Sequence, residues 1–185
     1  MLPDRMVGSS ERDRCVLLTG PMGAGKSRVG RALASALGWA FIDTDVEVER
    51  AASMKIAEIF AREGEAGFRK RERAALAALP AQACVVALGG GAIADAGNRR
   101  VLSEKGVLVW LDARPETLAA RIGAAAERPL LAGLDHGARI AKLSALCAER
   151  AAAYGAAKVR IATDARTVDE VCADVLAALG RGAAA

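Results

Sequence analysis

The sequence is poor in aromatic side chains, which make up 3% of its 185 residues, and it holds a single histidine. That histidine, together with four cysteines at positions 15, 84, 147 and 172 and no Cys-x-x-Cys pair, excludes most zinc-binding patterns. Cys15 and Cys84 fall in apolar, strand-like runs, where a free thiol is a small hydrophobe. The cysteine usage reads as that of a reduced, cytoplasmic protein. No apolar run approaches the roughly 20 residues that a membrane span needs, so no membrane association is expected. The opening stretch MLPDRMVGSSERDR carries charges but no apolar centre, which excludes a secretory signal. There is no long basic tract and no basic patch interleaved with aromatics, so nucleic acid is not an expected partner. Internal repeats are also lacking.

What the chain does have is aliphatic residues: the hydrophobic fraction is 53%, carried by alanine and leucine, and a core of small aliphatics suits helices packed closely on a sheet. The length allows one well-buried domain rather than two. Acids and bases are interspersed, and the net charge of +4 fits an anionic small-molecule ligand.

Short apolar runs alternate with helical patterns. CVLLT (15–19), AFID (40–43), CVVAL (84–88), GVLVWL (106–111) and KVRIA (158–162) read as strands. Their near-continuous hydrophobicity is that of a parallel sheet covered on both faces. One helix is predicted from Lys26 to Leu37, ended by Gly38, and another starts at Pro115, a first-turn proline followed by Glu116. The alternation predicts an α/β domain with helices on both sides of a parallel sheet. Two stretches break the rhythm. Between the second and third strands, IAEIFAREG and AGFRKRERAALAAL form an inserted helical subregion. AAAERPLLAGLDHGA reads as a mobile flap before a helix running from about Arg139 to Tyr154. The first dozen residues and the LGRGAAA tail are expected to fray.

GPMGAGKS (20–27) matches the phosphate-binding P-loop pattern in full and sits between a predicted strand and a predicted helix, the context that pattern requires. Gly20, Gly23 and Gly25 let the backbone wrap a phosphate at a helix N-terminus. Lys26 would reach the β- and γ-phosphates and Ser27 would ligate Mg²⁺, so the expected ligand is a purine nucleoside triphosphate with magnesium. FIDTD (41–45) ends the second strand, where ligands gather in such sheets. Read as strand, Asp43 and Asp45 share a face with Cα atoms about 6.6 Å apart, one for the metal and the next for an acceptor hydroxyl. Read as caps, both serve the helix that follows, with Asp45 as the N-cap. LGGGA (88–92) is either a turn whose N–H groups meet substrate oxygens or a tight turn with no ligand.

AGFRKRERAAL is an amphipathic helix with Phe68, Leu76 and Leu79 inward. Arg69 and Glu72 lie three apart on one face, so the glutamate can orient the guanidinium for a carboxylate ligand. Arg128, in ERPLL, is either a solvated loop residue or an arginine that closes over the γ-phosphate. Arg121 and Arg166 are not distinctive alone, Trp39 and Trp110 read as packing residues, and His136 is assigned no role.

In order, GPMGAGKS, FIDTD, IAEIFAREGEAGFRKRE, ALGGGA, RPLLAG and ERAAAY resemble shikimate kinase over about residues 14–179. The P-loop is common to many families, whereas the remaining set is far more specific. The resemblance implies a three-layer α/β/α P-loop kinase fold with a five-stranded parallel sheet. It also implies a substrate-binding region at about 44–79, a mobile lid at about 123–138, and a single domain that is monomeric. It implies phosphorylation of the 3-hydroxyl of shikimate by ATP, on the route to chorismate and aromatic amino acids.

By the same resemblance, Gly23, Ala24, Gly25, Lys26, Ser27 and Arg28 bind ATP, and Ser27 and Asp43 hold the magnesium. Asp45 contacts the shikimate hydroxyls, Arg69 and Arg150 clamp the carboxylate, and Gly90 and Gly91 meet the hydroxyls. Phe60 and Phe68 wall the pocket, Glu72 steadies Arg69, and Leu130 sits on the lid. Arg128 is the lid arginine, and Arg121 and Arg166 flank adenine; Lys26, Asp45 and Arg128 carry the catalysis. Arg28 stands where the family commonly has threonine, a position outside the metal ligation, so no loss of activity is expected. The rival readings are a kinase for another small anionic polyol such as gluconate, and an ATP-binding regulatory module that transfers no phosphate.

Overall fold

The structure, a computed structural model, describes residues 14–80, 82–122 and 129–181. The strands are β1 (Cys15–Thr19), β2 (Ala40–Asp43), β3 (Cys84–Ala87), β4 (Gly106–Asp112) and β5 (Val159–Ala162). They form one parallel sheet in the order β2–β3–β1–β4–β5. The helices are α1 (Lys26–Leu37), α2 (Thr44–Ala52), α3 (Ile56–Ala77), α4 (Ala96–Lys105), α5 (Pro115–Ile122), α6 (His136–Tyr154) and α7 (Val168–Ala178). The expected α/β architecture is therefore the observed one, and each predicted strand lies within one residue of its place.

β1 explains why its sequence is apolar throughout. Its side chains alternate faces, and all five are fully buried. Val16 and Leu18 join the larger core, with Leu33 of α1, Leu118 of α5, Leu143 of α6 and Val175 of α7. Cys15 and Leu17 face the other side, against Leu76 of α3 and Leu102 of α4. Helices thus cover both faces. The edge strands β2 and β5 are only partly buried.

The inserted region is a helix pair. Ser53 ends α2, and α3 follows, joining the two helical patterns seen in the sequence across a kink. Gly64, at φ 68° and ψ −173°, kinks it where any side chain would be strained. Val48, Ile59 and Phe68 form a small core between the two helices. The flap helix α6 begins at His136, earlier than the expected Arg139, because Asp135 caps it by accepting from the Ala138 N–H at 2.7 Å. Among the described residues no helix is long and apolar enough to cross a membrane. The expected fraying of both termini falls largely on residues outside those described.

The sheet order puts β1 in the middle, between β3 and β4. The chain leaves β1 for β2 on one side and later reaches β4 on the other, so the C-terminal end of β1 opens onto the topological switch point. The P-loop emerges there.

Candidate active site

The loop after β1 runs into α1 through Gly25, the residue before its first turn, at φ 93°. It borders a cavity of about 390 Å³. Residues 23–28 line this cavity together with Asp43, Asp45, Gly90, Arg121, Thr163, Arg166 and Thr167. Backbone N–H groups at the start of α1 and its dipole favour an anion at this position. Lys26 Nζ donates to the carbonyls of Gly20 (2.7 Å) and Pro21 (3.0 Å), which holds the ammonium along the loop.

Ser27 Oγ donates to Asp43 Oδ2 at 2.6 Å, bringing a hydroxyl and a carboxylate together beside the loop. Both are hard oxygen donors of the kind magnesium takes alongside water and phosphate oxygens. Among the described residues no three His, Cys, Asp or Glu side chains cluster as a metal cage. The pair therefore fits a magnesium ion that takes its remaining oxygens from phosphate and water.

FIDTD is a corner rather than a strand end. β2 stops at Asp43, and Asp45 already lies in the first turn of α2, so the two carboxylates do not share a strand face. Asp43 is the N-cap, not Asp45: its Oδ1 accepts the Asp45 N–H at 3.1 Å while its Oδ2 meets Ser27. The residue between them matters as much. Thr44 is buried, donates to the Ala87 carbonyl at 3.3 Å and accepts the Gly89 N–H at 2.9 Å. It ties the start of α2 to the end of β3, so that Asp45 faces the glycine turn.

At that turn the glycines make room for this protein's own side chains. A Cβ on Gly89 would lie 2.7 Å from Asp45 Oδ1 and 3.0 Å from Glu72 Oε1, and one on Gly91 would lie 2.9 Å from both terminal nitrogens of Arg69. Gly90 is looser, with its nearest neighbours on the P-loop, Met22 N at 3.6 Å and Gly20 O at 3.8 Å. The Gly90 carbonyl accepts from Arg150 Nη1 (3.0 Å) and from the Tyr154 hydroxyl (2.9 Å), which come from successive turns of α6. Asp45, Glu72, Arg69, Arg150 and Tyr154, from three helices, thus converge on three consecutive glycines.

Arg69 donates from Nη1 to Glu72 Oε2 at 2.8 Å, the orienting contact expected from their spacing. Its outer edge, Nε and Nη2, donates to Glu65 Oε1 at 3.4 and 3.1 Å. Glu72 is buried and its Oε1 has no hydrogen-bond partner. Burial raises its carboxyl above the ordinary glutamate range, with Arg69 opposing, Asp45 reinforcing and Arg150 opposing more weakly.

A carboxyl whose pKa is raised by folding binds more protons in the folded chain, so its contribution to stability falls as pH rises above the ordinary value of 4.5. Relative to the wild type, Glu72→Gln is accordingly expected to gain thermal stability as pH rises from about 4 towards 7. Melting curves of both proteins across that range check this: the melting temperature of the variant minus that of the wild type should rise with pH, and a constant or falling value contradicts it.

The remaining predicted residues are more scattered. Phe60 and Phe68 stack with ring centroids 4.8 Å apart, Phe68 buried between α2 and α3 and Phe60 half-buried. Arg69, Arg150, Phe60, Phe68, Glu72, Gly91 and Leu130 do not border the 390 Å³ cavity, which holds only the P-loop side. Gly90 and Asp45 link the two halves. Leu130 is exposed in a single 3-10 turn, Pro129–Leu131. Arg28 is exposed on α1. Arg121 donates to Thr163 Oγ1 at 2.9 Å and to the Thr163 carbonyl at 2.5 Å. Arg166 pairs with Asp174 at 2.5 Å. Arg128 lies outside the described residues, as does the first part of the expected lid, 123–128.

Thr44, Thr163 and Tyr154 went unmarked by sequence reasoning. Each acts through a contact distant in sequence; Thr44 lies within FIDTD and Tyr154 ends ERAAAY, whereas Thr163 falls in no motif. Tyr154 is buried, stacked on Trp110 with centroids 5.5 Å apart, and burial pushes its phenol up to about 12, so it remains a donor to Gly90.

The chain is similar to known proteins over most of its length. The family model described as shikimate kinase matches residues 22–180. A shikimate kinase from Symbiobacterium thermophilum is 46% identical over 165 residues, 87% of this chain and 93% of that one. One from Ruegeria pomeroyi is 45% identical over 174 residues, 93% of this chain and 88% of that one. The solved structure of a shikimate kinase from Acinetobacter baumannii in complex with shikimate superimposes with a TM-score of 0.82. It shares 38% identity and covers 90% of this chain and 92% of its own.

Proposed function

The chain belongs to the shikimate kinase family, and from that premise we propose how its own residues divide the work of the reaction. The reaction is ATP-dependent phosphorylation of shikimate at its 3-hydroxyl, giving shikimate 3-phosphate and ADP in the pathway to chorismate and aromatic amino acids. The observation that carries the division is the Asp45–Gly90 junction. It sets the P-loop cavity edge to edge with a cluster of two arginines and a buried glutamate.

On the donor side, the P-loop N–H groups of residues 23–27 and Lys26 hold the phosphates, the ammonium exchanging the Gly20 and Pro21 carbonyls for phosphate oxygens. Ser27 and Asp43 hold magnesium, which when bound neutralises charge on the β- and γ-phosphates. Arg121 and Arg166, which line the same cavity, flank adenine, and Arg28 lines it too.

On the acceptor side, Arg69 and Arg150 take the shikimate carboxylate, and Gly90 and Gly91 meet its hydroxyls. Phe60 and Phe68 form an apolar wall, and Glu72 fixes Arg69 in place. Asp45 orients the reacting hydroxyl and accepts its proton as the phosphoryl group leaves ATP. Arg128 and Leu130 belong to the lid, Arg128 meeting the transferring group and the lid excluding the water that would otherwise hydrolyse ATP. Phosphoryl transfer asks mainly for alignment and charge stabilisation, and this set supplies both.

The chain acts as a single monomeric domain in the cytoplasm, with a core at about 14–179, a substrate region at about 44–79 and a lid at about 123–138. Four free cysteines support the reducing compartment. The gluconate and regulatory-module readings are not favoured by the family match. Coupled measurement of ADP release is the direct test. Folded protein should release ADP rapidly with shikimate and only slowly with gluconate, and no release with shikimate overturns the assignment.

Glu65 adds a finer expectation. It occupies the edge of Arg69 that a substrate carboxylate would take, and it does so as an exposed ion pair. Such pairs are worth about 0–1 kcal/mol, so binding shikimate displaces it at small cost. Glu65→Gln is expected to lower the KM for shikimate by about two- to fivefold at unchanged kcat. Steady-state kinetics with varied shikimate check this; an unchanged or raised KM places the carboxylate elsewhere on Arg69.

A further inference from the structure

The two cysteines that open β1 and β3 meet inside the sheet. Val16 pairs with Val85 in the parallel ladder, which sets Cys15 opposite Cys84, and their sulfurs are 2.8 Å apart. Both residues are fully buried in the core between the sheet and helices α3 and α4. Neighbouring strands run about 4.8 Å apart, within the Cα separations that disulfides span. A disulfide bond is about 2.05 Å long, so the sulfurs need approach by less than about 1 Å. The other two thiols have no such partner: Cys172 is a hydrogen-bond donor to the Val29 carbonyl at 3.6 Å, and Cys147 is half-buried on α6.

We propose that Cys15 and Cys84 are an oxidisable pair, a site of reversible cross-linking by peroxide within the central sheet. Cys15 is the residue that meets the oxidant. Its Sγ lies 3.2 Å from the carbonyl of Gln82, an exposed residue, so it is one residue removed from solvent although it is itself covered. It is also the better nucleophile. The hydrogen bond from Cys84 and the nearby Lys105 ammonium hold its thiol below the ordinary range, against the opposing effect of burial, and the same contact raises Cys84.

The chemistry balances with hydrogen peroxide as the oxidant. The Cys15 thiolate attacks one peroxide oxygen; an S–O bond forms, the O–O bond breaks, and the departing hydroxide takes up the Cys15 proton as water. The Cys84 sulfur then displaces hydroxyl from the Cys15 sulfenic acid. The S–S bond forms, the S–O bond breaks, and the hydroxide leaves with the Cys84 proton as a second water. Two thiols are oxidised by two electrons in all, and one peroxide is reduced to two waters.

The pair sits at the N-terminal ends of the strands, whereas the P-loop and the glycine turn follow their C-terminal ends. A cross-link is therefore expected to staple β1 to β3 without touching the site. Closing a chain segment of this length raises the melting temperature by about 5–10 °C.

The test is exposure of the full chain to hydrogen peroxide, thiol titration after denaturation, and peptide mapping by mass. The expected result is loss of two of the four thiols, a Cys15–Cys84 linked peptide, reversal by dithiothreitol, and retained kinase activity. Cys84→Ser should show no intramolecular link under the same exposure. Four titratable thiols after treatment, or thiol loss confined to Cys147 and Cys172, overturns the proposal.

Discussion

Asp45→Asn is expected to lower kcat for shikimate phosphorylation by about 10²-fold or more while leaving ATP affinity within about threefold. Asparagine keeps the size of the side chain, and Asp45 lies against Gly89 in a space where size matters. What it removes is the negative charge and one acceptor oxygen. The helix cap is untouched, because Asp43 makes it with its own side chain and the Asp45 backbone N–H. The Ser27–Asp43 contact is untouched as well. The loss should therefore fall on the acceptor side. A loose phosphoryl-transfer transition state demands little of a base, which places the expected effect towards the lower end of the general-base range. Single-turnover rates and nucleotide titrations separate the two quantities. Equal loss of ATP binding would mean that Asp45 serves the nucleotide, and the division between the two aspartates would fall.

Most of the framework could be read from the sequence because its signals are local. A continuous apolar run bounded by a glycine or proline has few alternatives, and β1 and β3 are buried on both faces as such runs require. The P-loop is likewise a single segment whose geometry follows from its own residues. The FIDTD corner misleads for an equally local reason: DTDVEVER alternates like a strand, yet Asp43 caps a helix and the alternation continues inside α2. The glycine turn is legible only in part. Its sequence announces a close approach to the backbone but not which side chains make it. The approaching atoms belong to Asp45, Glu72 and Arg69, whose arrival depends on how α2 and α3 fold back over β3. Strand order has the same character. Cys15 and Cys84 are visible as strand residues, but only the β1–β3 pairing makes them neighbours.

The glycine turn also separates these explanations by experiment. A Cβ at Gly89 would stand closer to Asp45 Oδ1 than real side chains approach, with Glu72 Oε1 at the edge of tolerance. Neither carboxyl can retreat easily, since Thr44 anchors the α2 corner to Ala87 and Gly89, and Glu72 is buried against Arg69. Gly89→Ala is therefore expected to cost about 1–3 kcal/mol of stability, a fall of about 3–10 °C in melting temperature. Displacing Asp45 by even part of an ångström should lower kcat by about 10²-fold, with KM for ATP nearly unchanged. Gly91→Ala meets only the tip of a flexible guanidinium, so it should act chiefly through the KM for shikimate. Gly90→Ala, with contacts no nearer than 3.6 Å, should be the mildest of the three in stability. Melting curves and steady-state kinetics on the three variants read the order directly. If Gly90→Ala were the most destabilising and Gly89→Ala were tolerated, the turn would owe its glycines to something other than the side chains packed on it, and Asp45 would owe its position to some other contact.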